Sequence, residues 1–298
     1  MAVDFRIVTL GDSVAWGQGL LEGEKYDAMI KQTLEPQFPG GISLERLAHS
    51  GAVIGAHPVT GNPAPGEVPT SRLTIIEQCD GFTHAPETVD LVLMNGGIND
   101  VGVSTILNPF ALLPPLGARI KHACHTGMLT LLKKVSAKFT KPSCKILVTG
   151  YYVILSGKSD PLGCTRLLGM HGIARPAFIE AVDFINPVIR RCEEFFKDST
   201  AQIKRAIADA HDTRITFVPS GFTDDNAVFV PGTSLLFGLD AELNPQDAVA
   251  AERHGQCDSA HSDPLQIPER EICYRASAGH PNPAGAQQFK DQILTALA

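Results

Sequence analysis

Residues 5–14 read Phe-Arg-Ile-Val-Thr-Leu-Gly-Asp-Ser-Val, an apolar, β-branched run that stops abruptly at Gly11-Asp12-Ser13. A buried strand that ends on a serine beside an acid has two readings. Asp and Ser are favoured where a helix begins, so the pair could do no more than cap the next element. Alternatively, Ser13 is presented at the strand end to do chemistry. Three more runs share the character of the first, at residues 91–94, 146–149 and 215–218, and a weaker alternating one spans residues 42–48. Between them, apolar spacing predicts amphipathic helices at roughly residues 24–34, 70–79, 116–139 and 176–211. This alternation predicts an α/β fold of three layers, α/β/α, around a central, mostly parallel five-stranded sheet of flavodoxin-like type. Sites in such sheets gather beyond the C-terminal strand ends. Ser13, residues 95–100 and residues 150–152 are therefore predicted neighbours.

Composition narrows the classes. The chain has 298 residues, 44% of them hydrophobic, and a formal net charge of −7. That gives no basic footprint for nucleic acid, and no run of about 18 apolar residues suggests an integral membrane segment. The N-terminal residues lack the charged and apolar regions of a secretory leader. The expectation is a cytoplasmic protein, or a secreted one whose leader has been removed. With no fixed-period repeat or linker, residues 1–298 read as one domain, with an irregular insertion at about 219–275. The sequence does not give the oligomeric state. Seven cysteines are present; several read as small buried hydrophobes. Cys257 and Cys273 fit a disulfide of an oxidising compartment. His254, Cys257 and His261, with Cys273, also have spacings compatible with a zinc clip.

Four short blocks carry the chemistry. They are Gly11-Asp12-Ser13, then Gly51 in the run 48–56, then Gly97, Asn99 and Asp100 in Gly-Gly-Ile-Asn-Asp, and last His280 in Gly-His-Pro-Asn-Pro. In this order and on this background the chain resembles the SGNH (GDSL) hydrolase superfamily, of esterase and lipase type. A serine hydroxyl attacks well only when a base takes its proton, and imidazole titrates in the useful range. The resemblance implies Ser13 as nucleophile and His280 as general base, acting on a small-molecule or lipid ester through an acyl-enzyme. It further implies an oxyanion hole from the Ser13 and Gly51 N–H groups and the Asn99 amide, with no metal or organic cofactor. Asp12, Gly97 and Asp100 support the motif: Asp12 holds the nucleophile loop and Asp100 caps the turn after Asn99. Asn282-Pro283 begins a final helix and sets His280 just ahead of it.

One departure matters. The family usually has an Asp three residues before its His, whereas here that position is Ser277. A backbone carbonyl or the Ser277 hydroxyl would then orient the ring, or an acid from the insertion, with Asp258 and Asp263 nearest. Two alternatives to a hydrolase stay open: an acyltransferase using the same pair, and a non-catalytic binding module with a degraded site. Other signals are weak. Gly157-Lys158-Ser159 lacks the upstream glycine of a phosphate loop, and residues 16–23 lack the third glycine of a dinucleotide fingerprint. His122 and His125 read as a solvated helix face. Residues 226–239 either wall an acyl pocket or cover the sheet edge.

Overall fold

The computed structural model describes residues 4–55, 64–69, 73–110 and 116–298. Five strands, β1 (Phe5–Leu10), β2 (Ile42–Arg46), β3 (Leu91–Met94), β4 (Lys145–Thr149) and β5 (Ile215–Val218), form one sheet in the order β2-β1-β3-β4-β5. Every pairing is parallel, Ile7 standing opposite both Leu44 and Leu91. All four residues of β3 are buried, as expected of a strand covered on both faces. The weak 42–48 run is thus a true edge strand, polar because one side of it is uncovered.

The helices, in chain order, are α1 (Ser13–Trp16), α2 (Tyr26–Leu34), α3 (Ile75–Gly81), α4 (Ile98–Val101), α5 (Val103–Leu107), α6 (Leu116–Lys121), α7 (Met128–Lys138), α8 (Pro161–Met170), α9 (Ala181–Ala210), α10 (Ala250–Ala260), α11 (Ile267–Tyr274) and α12 (Pro283–Leu297). Right-handed crossovers put α2, which packs on α12, on one face, and α3, α7 and α9 on the other. A π-helical turn at His122–Gly127 joins α6 to α7. His125, read from sequence as solvated, pairs with Asp209 of α9 at 2.8 Å. Residues 70–72 of the predicted second helix lie outside the described residues. The helix itself starts at Thr74, whose side chain and that of Glu77 cap it reciprocally.

The chain adds β2 on one side of β1 and β3 to β5 on the other, and at this switch a crevice opens at the C-terminal ends of β1 and β3. The insertion is less irregular than its sequence suggests, since it contains α10 and α11, tied by a Cys257–Cys273 disulfide. That bond uses both cysteines of the zinc reading, and His254 stacks on Tyr274 with ring centroids 4.0 Å apart. Among the described residues no helix is long and apolar enough to cross a membrane.

Candidate active site

The Gly11-Asp12-Ser13 corner divides its labour. Asp12 is the cap: its Oδ1 accepts from the Val14 N–H at 2.9 Å, and Ser13 is the first residue of α1. Gly11 has φ +144°, and a Cβ there would stand 2.1 Å from Asn95 Oδ1, so only glycine fits. Its N–H and carbonyl are both held by the Gln78 amide, at 2.8 and 3.0 Å. Asn95 bonds Asp12 twice, at 3.0 Å to its N–H and 2.7 Å to its carboxylate. Tyr151 donates to the other oxygen at 2.7 Å. Burial pushes the Asp12 carboxyl up, against these donors from Tyr151, Val14 and Asn95.

The last block meets this corner. His280 Nε2 lies 2.7 Å from Ser13 Oγ, across 267 residues of chain. The backbone of His280 is pinned on both sides: its N–H donates to the Ser277 carbonyl at 2.9 Å and its carbonyl accepts from the Phe237 N–H at 2.8 Å. Tyr152 donates to the Gly279 carbonyl at 3.1 Å. Asn282 then caps α12, accepting from Gly285 N–H at 3.0 Å, with Pro283 next to it. None of residues 226–239 lines the pocket described below. They bury Leu236, Phe237 and Leu239 and brace the His280 turn through Phe237 and a bridge from Leu236 to Pro281.

His280 is half-buried, but its Nδ1 edge is fully enclosed and forms no well-aligned hydrogen bond. Burial pushes the imidazole down to about 4; the carbonyl of Ser277 opposes this, the Arg253 charge adds to it, and the carbonyls of Ala276 and Ala278 also oppose it. The ring is therefore neutral at pH 7. The candidate orienting side chains lie elsewhere. The Ser277 hydroxyl donates to Asp247, Asp258 accepts from the Tyr274 hydroxyl, and Asp263 caps the Leu265 N–H at 2.9 Å. None of them bonds Nδ1, and the groups beside it are the main-chain carbonyls of Ser277, Ala276 and Ala278.

Gly51 sits at φ +76° in the turn after β2, a conformation that favours glycine and lets the main chain approach a ligand closely. Among the described residues, neither the Ser13 nor the Gly51 N–H donates to a backbone or side-chain acceptor. Asn99 Nδ2 donates to the Ala52 carbonyl at 2.9 Å, which leaves its second amide hydrogen for the crevice. Gly97 precedes α4. Both oxygens of Asp100, in the first turn of α4, accept from the Ile54 N–H, at 3.1 and 3.0 Å. It thereby locks the second block to the third, and burial raises its carboxyl to about 6. Ser13, Gly51, Asn99 and His280 all line one pocket of about 200 Å³. Its walls are largely apolar, with Val14, Ile98, Leu107, Tyr152, Ile154 and Leu167 prominent. Ile272 and Arg275, from the end of the insertion, add to them.

The structure brings Tyr151, among the predicted neighbours of Ser13, against Asp12 and Ile98; sequence reasoning missed Gln78 and the Asp247–Arg253 pair as supports. Tyr151 follows a strand end, the signal that placed it; the missed residues have none.

No protein-family profile matches the chain, and no curated protein sequence does. Solved structures do. An extracellular lipase from Streptomyces rimosus superposes with a TM-score of 0.54 at 16% identity, covering 99% of this chain and 100% of the lipase. The lipase Lip_vut3 from a goat rumen metagenome gives 0.52 at 13%, covering 98% and 97%. The chain shares its fold with these two lipases. At such identities the likeness is one of architecture.

Proposed function

We propose that this chain is a carboxylic ester hydrolase in which Ser13 is the nucleophile and His280 the general base. The observation that carries the reading is the 2.7 Å approach of His280 Nε2 to Ser13 Oγ beside a largely apolar pocket. A base must stand within hydrogen-bond reach of the proton it takes, and a neutral imidazole can accept it. Ser13 Oγ attacks the acyl carbon while its proton passes to Nε2. The carbonyl oxygen becomes an oxyanion, held by the Ser13 and Gly51 N–H groups and the free amide hydrogen of Asn99. Collapse expels the alkoxide, which leaves as an alcohol with the proton from His280. Water, deprotonated by the same ring, then releases the acid and regenerates Ser13.

The apolar pocket favours a substrate with a hydrocarbon acyl group. The esterase and lipase chemistry of the structural neighbours agrees with this class. A second reading, acyl transfer to an alcohol, draws support from the largely apolar lining, to which the insertion adds Ile272. Fluorophosphonate labelling tests the shared acyl-enzyme step: one adduct on Ser13 is expected, absent from Ser13→Ala. A folded wild type that takes no adduct removes both readings. Product analysis with an added alcohol separates acid release from ester exchange.

A further inference from the structure

Position 277, three before His280, holds a serine whose hydroxyl donates to Asp247. Asp247 is wholly buried and forked onto Arg253, equally buried, with bonds of 3.1 and 2.6 Å. Arg253 also donates from Nε to the Tyr274 carbonyl at 3.0 Å, and its Nη atoms reach Glu67 at 3.4 Å and Ser277 Oγ at 3.5 Å. Glu67 in turn accepts from the Trp16 indole at 2.9 Å, the Gln18 amide at 2.8 Å and the Gly19 N–H at 3.3 Å. One buried polar network therefore runs from the segment just after Ser13 to the turn that carries His280. It is tight as well as continuous: a Cβ on Gly19 would come within 2.6 Å of the Ser277 Cβ.

A buried ion pair must overcome the desolvation of both charges, so it is weak evidence for stability alone. Here it occupies the space behind the histidine turn. An acid at position 277 would crowd the Asp247 carboxylate, and two buried carboxylates at close range cannot both ionise. We infer that Asp247, Arg253 and Ser277 are positioning residues: they fix the 276–278 turn so that its carbonyls face His280 Nδ1 and hold the ring in the tautomer that leaves Nε2 open to Ser13. The charge anchors the turn and the main chain contacts the ring, so a role usually given to one side chain is split in two. The catalytic consequence rests on the Ser13–His280 reading; the tautomer itself does not.

The test uses the full chain labelled with ¹⁵N-histidine, the His280 signals being assigned by their loss in His280→Ala. Ring nitrogen shifts report the tautomer without any turnover. Wild type is expected to show a single Nδ1–H form. Ser277→Ala keeps the ion pair but cuts its link to the turn, and is expected to give a mixture of tautomers. Its turnover of an ester that wild type cleaves should fall about tenfold with KM little changed, the pattern of a group that acts only through the base. Asp247→Asn should do the same, but it strips Arg253 of its main counterion and can cost the fold, so Ser277→Ala decides. A Ser277→Ala protein with intact circular dichroism and an unchanged Nδ1–H tautomer overturns the proposal. If wild type takes no fluorophosphonate yet Ser277→Ala mixes the tautomers, the positioning network stands and the hydrolase reading falls.

Discussion

Tyr151 donates its hydroxyl proton to Asp12 at 2.7 Å. The same oxygen accepts the Ile98 N–H at 3.0 Å, so one phenol just after β4 ties the Gly11-Asp12-Ser13 corner after β1 to the turn after β3. Tyr151→Phe would leave that N–H without its acceptor and Asp12 short of a donor. Leaving such groups unsatisfied costs about 1–3 kcal/mol, and urea unfolding should register a loss of that size. Unchanged unfolding would show that another group already serves both partners.

Ser13→Ala and His280→Ala should each lower turnover by about 10⁴-fold, and the double variant hardly further, because the two act as a unit. Asn99→Ala should cost about 10²–10³-fold in turnover if its amide serves the oxyanion. Initial rates on one ester compare all of them. Near wild-type turnover in any single variant would strip that residue of its proposed part.

Proton uptake gives a separate handle on His280. With the imidazole lowered to about 4 by burial, the neutral base is already present at pH 5. The rate profile should stay flat down to about that pH and fall by about tenfold per unit once below the folded value. For stability the sign follows from the same shift. The unfolded ring takes a proton first, so the contribution of His280 is full above its ordinary 6.5 and is lost as pH falls towards about 4. An acid limb centred near 6.5 would instead indicate a ring open to solvent.

Asp100 runs in the other direction. Its folded carboxyl, raised from 3.8 to about 6 by burial, binds a proton before the unfolded one does. Its contribution is present below 3.8 and disappears as pH rises through about 6. Wild type should therefore gain on Asp100→Asn, in unfolding free energy, on going from pH 7 to pH 4. A wild type that loses on the variant over that interval contradicts the assignment.

Leu167 of α8 lines the pocket and is almost wholly buried. Leu167→Trp should fill part of the cavity and shift preference towards shorter acyl groups. A hydrophobic pocket discriminates by about 10–200-fold per methylene. Relative kcat/KM over a series of linear acyl esters measures this, and an unaltered ranking would place the acyl chain elsewhere.

The layered sheet was readable because its strands are short apolar runs with little competition from helical spacing. Even the edge strand showed itself by alternation. The four motif blocks were readable for a different reason, since each sits at a strand end or ahead of a helix, where side-chain choice is constrained locally. The supports were hidden. Arg253 looks like any charged residue of a helix, and nothing near it in sequence announces that it is completely buried against Asp247. The apolar stretch around Phe237 has no period that distinguishes a pocket wall from a brace. The helix α8 is hard to read because two glycines, Gly163 and Gly169, interrupt its spacing. Wherever partners lie far apart along the chain, as Ser277 and Asp247 do, only the folded arrangement reveals what a residue does.

The clasp between Cys257 and Cys273 joins α10, which bears Arg253, to α11, which leads into the histidine turn. Closing a loop of this size takes about 3 kcal/mol of freedom from the denatured chain. The outer limb of the molecule is thereby a bracket and not a flap: its amides should exchange with deuterated solvent at the pace of the sheet beneath, and should run ahead of it only once a thiol has severed the link.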